Sequence, residues 1–151
     1  MRLSTKSRYA VTSLLDLVMH SDQGPVSLAD ISLRQGISLS YLEQLFAKMR
    51  RNKLVVSTRG PGGGYSLGSS PKNVCIADVI NAVDENIRVT NKDIESDSPY
   101  FEPCLTEQLW EELSDQIHEY LTTISLADMM ENDEVKELSR NHDLRQSPQN
   151  L

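Results

Sequence analysis

The chain has 151 residues, which suits one domain with an appendage or a tail, and a domain of this size buries roughly two-thirds of its unfolded surface without covalent staples. No apolar run approaches the roughly 18 residues of a membrane helix, Met1 to Lys6 leads into an amphipathic segment unlike a signal peptide, and two cysteines, Cys75 and Cys104, make no disulfide framework; together these fit a bacterial-type cytoplasm or another reducing interior. The formal net charge of −7 is unevenly placed: residues 1–65 hold nine Lys and Arg against four Asp and Glu, a net +5, while residues 66–151 carry −12, so a basic head sits on an acidic body that should face away from phosphates.

Ser4 to about His20 reads as a first helix, with Tyr9, Ala10, Ser13, Leu14, Leu17 and Val18 recurring at three and four residues. Arg2, Lys6 and Arg8 crowd its start, where cations oppose the helix dipole; phosphate contact is the better motive. Gly24-Pro25 ends the unit. Ser27 is an N-cap candidate for a second helix whose inner side is Leu28, Ala29, Ile31 and Ser32. Gly36 breaks it, Ile37 plugs the turn, and Ser38 caps a third helix from Leu39 to about Asn52. That helix has an apolar face of Leu42, Leu45, Phe46 and Met49. Its other face, with Ser40, Tyr41, Glu43, Gln44, Lys48 and Arg51, is rich in groups able to bond base edges or phosphates.

Leu54 to Thr58 and Tyr65 to Leu67 read as short strands around Arg59-Gly60-Pro61-Gly62-Gly63-Gly64, a hairpin with a glycine-rich turn. The loop is no nucleotide cradle: it lacks the G-x-x-x-x-G-K-[ST] pattern, and no helix start follows it. Helix, turn, helix and hairpin is the order of a winged helix-turn-helix, in which a helix enters the DNA major groove and the hairpin can reach the minor groove.

A helix follows from Asn73 to about Glu85, striped by Ile76, Val79, Ile80 and Val83, with Cys75 near its start as a small packed residue. Residues 86–104 read as a polar loop. The longest helix begins near Thr106 and carries Leu109, Leu113, Ile117, Tyr120, Leu121 and Ile124 down one side, widened by Trp110. Such a stripe after a compact domain is most economically covered by a second copy of the chain; packing on its own first helix is the other reading. Ser125 to Met130 reads as a short further turn, and the polar stretch from Glu131 as a frayed tail. The expected fold is therefore mainly α with a small β-hairpin wing. It divides into a winged helix-turn-helix over 1–85, a loop over 86–104, a dimerisation helix and turn over 105–130, and a flexible tail over 131–151. His20, His118 and His142 are scattered and read as surface or helix histidines. No nucleophile–base constellation, metal-ligand spacing or nucleotide loop is present, so the chain is not read as an enzyme. A winged-helix adaptor binding only protein is the alternative, set against it by the basic head and the polar face of the third helix.

These motifs resemble the Rrf2 family of bacterial winged-helix regulators. The resemblance rests on Met1 to Leu3 with Arg8 to Thr12, Leu28 to Ile31, Gly36 to Phe46, Arg59 to Tyr65, Val79 to Glu85, and Cys104 to Thr106 with Leu109 and Trp110, and spans about residues 1–130. It implies a homodimer on double-stranded DNA, acting in iron–sulfur cluster or iron/redox homeostasis, with each third helix in a major groove and each wing arginine in a minor groove. Carried onto this sequence, Ser38, Ser40, Tyr41, Glu43 and Gln44 are the readout candidates and Arg59 the wing candidate; Arg2, Lys6, Arg50 and Arg51 complete the DNA-binding set. Gln44 suits adenine and Glu43 a cytosine amino group, and Arg59 suits a narrow minor groove. Sensory members of the family hold a [2Fe–2S] cluster on a C-x5-C-x5-C-x2-H pattern. Anchored on Cys104, that pattern falls here on Lys92, Ser98, Cys104 and Glu107. One thiol in four positions does not suit a cluster that needs thiolates or imidazoles. No cofactor or metal is expected, and Cys104 is a remnant ligand position. Three readings follow in order: a constitutive regulator, a sensor of another input through Cys104, or a cluster held by unconventional ligands.

Overall fold

The computed structural model describes residues 4–84 and 105–146 of the chain. Helix α1 runs Thr5–Met19, α2 Leu28–Gln35 and α3 Leu39–Arg51; strands β1 (Val55–Thr58) and β2 (Gly64–Leu67) follow, then α4 (Ile76–Val83), α5 (Glu107–Thr122), α6 (Leu126–Met130) and α7 (Asp133–Gln146). Serine begins each of the first three helices. Ser4 Oγ accepts the Ser7 N–H at 3.1 Å, Ser27 Oγ that of Asp30 at 3.1 Å, and Ser38 Oγ that of Tyr41 at 3.3 Å, each satisfying a backbone donor that the helix start leaves without a partner. Gly36 ends α2 in the left-handed region, φ 67°, which turns the chain toward α3 at no Cβ cost. The second helix buries Ile31 alone; Ala29, placed on the inner side by the sequence reading, is exposed, because at 3.6 residues per turn it lies about 200° around the helix from Ile31.

The core is built from one face of each element. Leu14 and Leu17 of α1, Ile31 of α2, Leu42, Leu45, Phe46 and Met49 of α3, and Val79, Ile80 and Val83 of α4 meet in one buried cluster. The antiparallel hairpin pairs Val55 with Leu67 and Thr58 with Gly64, and Tyr65 lays its ring 5.0 Å from that of Phe46, so the wing is fastened to α3 by an aromatic edge contact. A bridge that period counting does not reveal fixes the other side of β2: Val26 and Tyr65 exchange both backbone hydrogen bonds, at 2.9 and 2.8 Å. Gly64 is required for that closeness. Its φ is +154°, and a Cβ there would lie 2.3 Å from the Val26 carbonyl oxygen. Gly64→Ala is accordingly expected to destabilise the protein by about 1–3 kcal/mol, as overpacking against unyielding backbone does; a urea midpoint equal to that of the unaltered chain would mean that the bridge yields without cost.

The fourth helix starts at Ile76, where its apolar stripe begins, and not at the expected Asn73, because Pro71–Asn73 forms a separate turn and the Cys75 N–H is held by Asp78 Oδ2 at 3.1 Å. After α5, which rests on α4, the chain returns to the domain: Ile76 donates to the Ile124 carbonyl and Leu126 to that of Val74, both at 2.9 Å, and Leu126 is fully buried. The frayed tail expected from Glu131 onward is corrected over Asp133–Gln146, which is helical. Polar composition concealed it, since few apolar residues are needed to dock it. Val135, Leu138 and His142 face Thr12, Leu15, Met19 and Gln35 across a small cleft, and His20 Nε2 lies 2.7 Å from Asp143 Oδ1. Among the described residues no helix is long and apolar enough to cross a membrane.

Candidate nucleic-acid interface

Burying one face of α3 leaves the other to solvent. Ser38, Leu39, Ser40, Glu43 and Gln44 are exposed together at its N-terminal half, where spacings of three and four residues align side chains. Tyr41 differs from the other readout candidates: it is half-buried and meets the Tyr9 ring of α1 edge-on, centroids 5.8 Å apart. It therefore spaces α1 from α3 and presents only part of its surface. Exposed Leu39 was not singled out by the sequence; an apolar residue on a helix start draws notice only once the structure shows it uncovered.

The basic candidates separate by position. Arg59 is exposed at the first residue beyond β1, just before a turn closed by Gly63 N–H to the Gly60 carbonyl at 2.9 Å. Arg50 turns toward the wing, its Nη1 3.4 Å from Ser57 Oγ, so it links α3 to β1. Lys6 and Arg51 come together with Lys48 around one cleft. Arg2 lies outside the described residues, as does Cys104.

Arg34, one of the basic residues of the head, is not available to phosphates. Asp16 of α1 has a fully buried carboxylate. Arg34 donates to it from Nε at 3.0 Å and Nη2 at 2.8 Å, and Gln35 Nε2 adds a third bond at 2.7 Å. Burial works against the Arg34 charge, but the hydrogen bond and charge of Asp16 outweigh it and raise the guanidinium above its ordinary pKa. The pair pins α2, the first helix of the helix-turn-helix, to α1.

Burial pushes the Cys75 thiol up, away from the thiolate that nucleophilic or ligand chemistry requires. Of the four positions that correspond to the family's cluster pattern, Lys92, Ser98 and Cys104 lie outside the described residues and Glu107 stands in the first turn of α5. This donor set, with a single thiol, does not fit a [2Fe–2S] cluster.

The Rrf2 family model, described as an iron-dependent transcriptional regulator, matches residues 3–132. ORF2 of Azotobacter vinelandii, assigned as an HTH-type transcriptional regulator, is 58% identical over 146 residues, covering 97% of this chain and 89% of its own. The HTH-type transcriptional regulator IscR of Photorhabdus laumondii is 50% identical over 150 residues, covering 98% and 92%. Among solved structures, T. potens IscR superposes with a TM-score of 0.69 at 35% identity, covering 99% of this chain and 94% of its own. CymR, the global cysteine regulator of B. subtilis, gives 0.70 at 32%, covering 86% and 96%. These relatives are regulators and not enzymes. With a match across most of its length, a helix-turn-helix whose second helix presents a polar face, and an arginine at its hairpin, the chain belongs to the Rrf2 family of DNA-binding transcriptional regulators, of the IscR type.

Proposed function

We propose that the protein is a cytoplasmic, sequence-specific regulator that binds operator DNA as a homodimer through α5 and acts in iron–sulfur or iron/redox homeostasis without a bound cluster. One observation carries the DNA reading: Ser40, Glu43 and Gln44 stand exposed on one face of α3, beside a hairpin whose turn begins with exposed Arg59. Gln44 can pair with both the N6 and N7 positions of adenine, and Glu43 can accept from a cytosine amino group. The exposed Leu39 adds an apolar contact suited to a thymine methyl. Arg59 enters a minor groove narrowed by A·T steps, where the potential is most negative.

A duplex selected from a random pool by the protein itself tests this. Binding should weaken steeply with salt, because each phosphate contact releases counterions. Arg59→Ala should cost about 1–3 kcal/mol, with the loss greatest on sites flanked by A·T steps, and Gln44→Ala should relax preference at one base pair by a similar amount. An unaltered affinity for Arg59→Ala would remove the wing from the interface. Failure of the protein to enrich any duplex would favour an adaptor role.

The absence of a cluster from the working protein is supported by the donor set alone, since lysine and serine stand where thiolates would be needed. Iron, sulfide and a visible spectrum on protein purified without oxygen decide it. A colourless protein that still binds the selected duplex is expected; stoichiometric iron and sulfide would overturn this part of the reading.

A further inference from the structure

Where the first turn of α1 meets the C-terminal ends of α3 and α4, the surface folds inward into a cleft of about 450 Å³. Three cations from two helices line it: Lys6 from α1, and Lys48 and Arg51 from α3. Among the described residues, neither Lys6 nor Arg51 has a hydrogen-bond or ion-pair partner. The wall is held in shape from both sides. Asn52 Nδ2 donates to the Lys48 carbonyl at 2.9 Å and the Ala82 carbonyl at 3.4 Å, joining the end of α3 to α4. Asp84, the one carboxylate in the described lining, is engaged by Ser4 Oγ at 2.7 Å and Ser7 Oγ at 3.4 Å.

Cations in the last turn of α3 are favourable for the helix dipole in any case. Lys6 is not: it sits in the first turn of α1, where the dipole opposes it, so helix stability does not explain why it is aimed at the same space. Lys6 and Arg51, both without a partner among the described residues, stand against one hydrogen-bonded carboxylate, so the described lining is positive. A compact oxyanion fits such a site, with the planar guanidinium of Arg51 offering paired donors and the Lys6 ammonium acting as a point charge.

We propose that this cleft is a binding site for a phosphate group, set at the opposite end of α3 from the base-reading residues. From Gln44 to Arg51 is roughly 10 Å along the helix axis. The phosphate has two chemical sources, a backbone phosphate of bound DNA or a free phosphate-bearing molecule. The first rests on the DNA reading given above; the second does not.

Inorganic pyrophosphate is the probe for the free source, titrated into the full chain at fixed ionic strength while backbone amide resonances are recorded. Saturable shifts at Lys6, Arg51, Asn52 and Ala82, weakened about tenfold or more in a Lys6→Gln, Arg51→Gln double variant and unchanged in Lys72→Gln, establish a free-anion site. For the DNA source, the selected duplex is scanned with single uncharged methylphosphonate linkages. One linkage that weakens the unaltered protein but not the double variant, together with a salt slope reduced by about two, places a backbone phosphate in the cleft. Pyrophosphate shifts no larger than those of chloride, together with a double variant that keeps the original salt slope, would overturn the proposal. If the protein enriches no duplex yet binds pyrophosphate, the DNA reading fails and the cleft stands.

Discussion

Arg34→Ala is expected to destabilise the fold by about 3–5 kcal/mol, the usual consequence of stranding a buried charge. The Asp16 side chain is fully buried, and the guanidinium of Arg34 supplies two of the donors that hold its oxygens. Gln35 would remain, with one bond at 2.7 Å, and His20 Nδ1 stands 3.6 Å from Oδ1, beyond hydrogen-bond reach; one neutral hydrogen-bond donor does not compensate a carboxylate removed from water. Since a domain of this kind is stable by only about 5–15 kcal/mol, the change removes a large share of the total. Urea unfolding at neutral pH measures it. A companion Asp16→Leu, Arg34→Met variant separates the causes: replacing both partners by apolar groups should recover much of the loss, because the cost lies in the unpaired charge. The raised guanidinium pKa fixes the pH behaviour. A raised cation contributes its stabilisation below its ordinary value and loses it only as pH climbs through the raised one, so no weakening from Arg34 is expected at moderately alkaline pH. A loss under 1 kcal/mol for Arg34→Ala would mean that water reaches Asp16 once the arginine is gone.

Leu109→Glu with Tyr120→Glu should convert the protein to monomer and weaken binding to a two-half-site duplex by roughly 10²–10⁴-fold, the range gained when a second binding event becomes intramolecular. Leu109 is 55% exposed and Tyr120 64% exposed, with Trp110 alongside at 36%, so neither substitution opens the core of the single chain. The uncovered stripe on α5 supports the homodimer reading, because aromatic and aliphatic side chains aligned over three turns form the kind of exposed patch that marks an interaction surface. Sedimentation at micromolar concentration reads the first effect, and titration of one-half-site and two-half-site duplexes the second. Binding to a single half-site should change little. A double variant that sediments as the unaltered protein does would place the subunit interface elsewhere.

Periodicity and punctuation made the head of the molecule legible in the chain itself. Ser27 and Ser38 announced two helix starts, Gly36 a helix end, and the glycines after Arg59 a hairpin, because each of those residues acts through its own backbone neighbours. The two faces of α3 were separable for the same reason: three-to-four spacing decides locally which side chains point together. What depended on distant residues was not readable. Arg34 counted as one more positive charge until Asp16 was found beside it. Lys6 and Arg51, far apart in sequence, became one cleft only when α1 crossed the end of α3. The Val26–Tyr65 bridge joins segments too short to show a period. Helix α7 was concealed by its polar composition, and its docking on α1 and α2 follows from a few long-range contacts. The sequence alone thus determined the local elements of the head, their order and the polar face of α3, whose physics is contained within a few consecutive residues. The tertiary structure decided which charges are paired inside and which are brought together around one cleft, since pairing is a property of space and not of spacing along the chain.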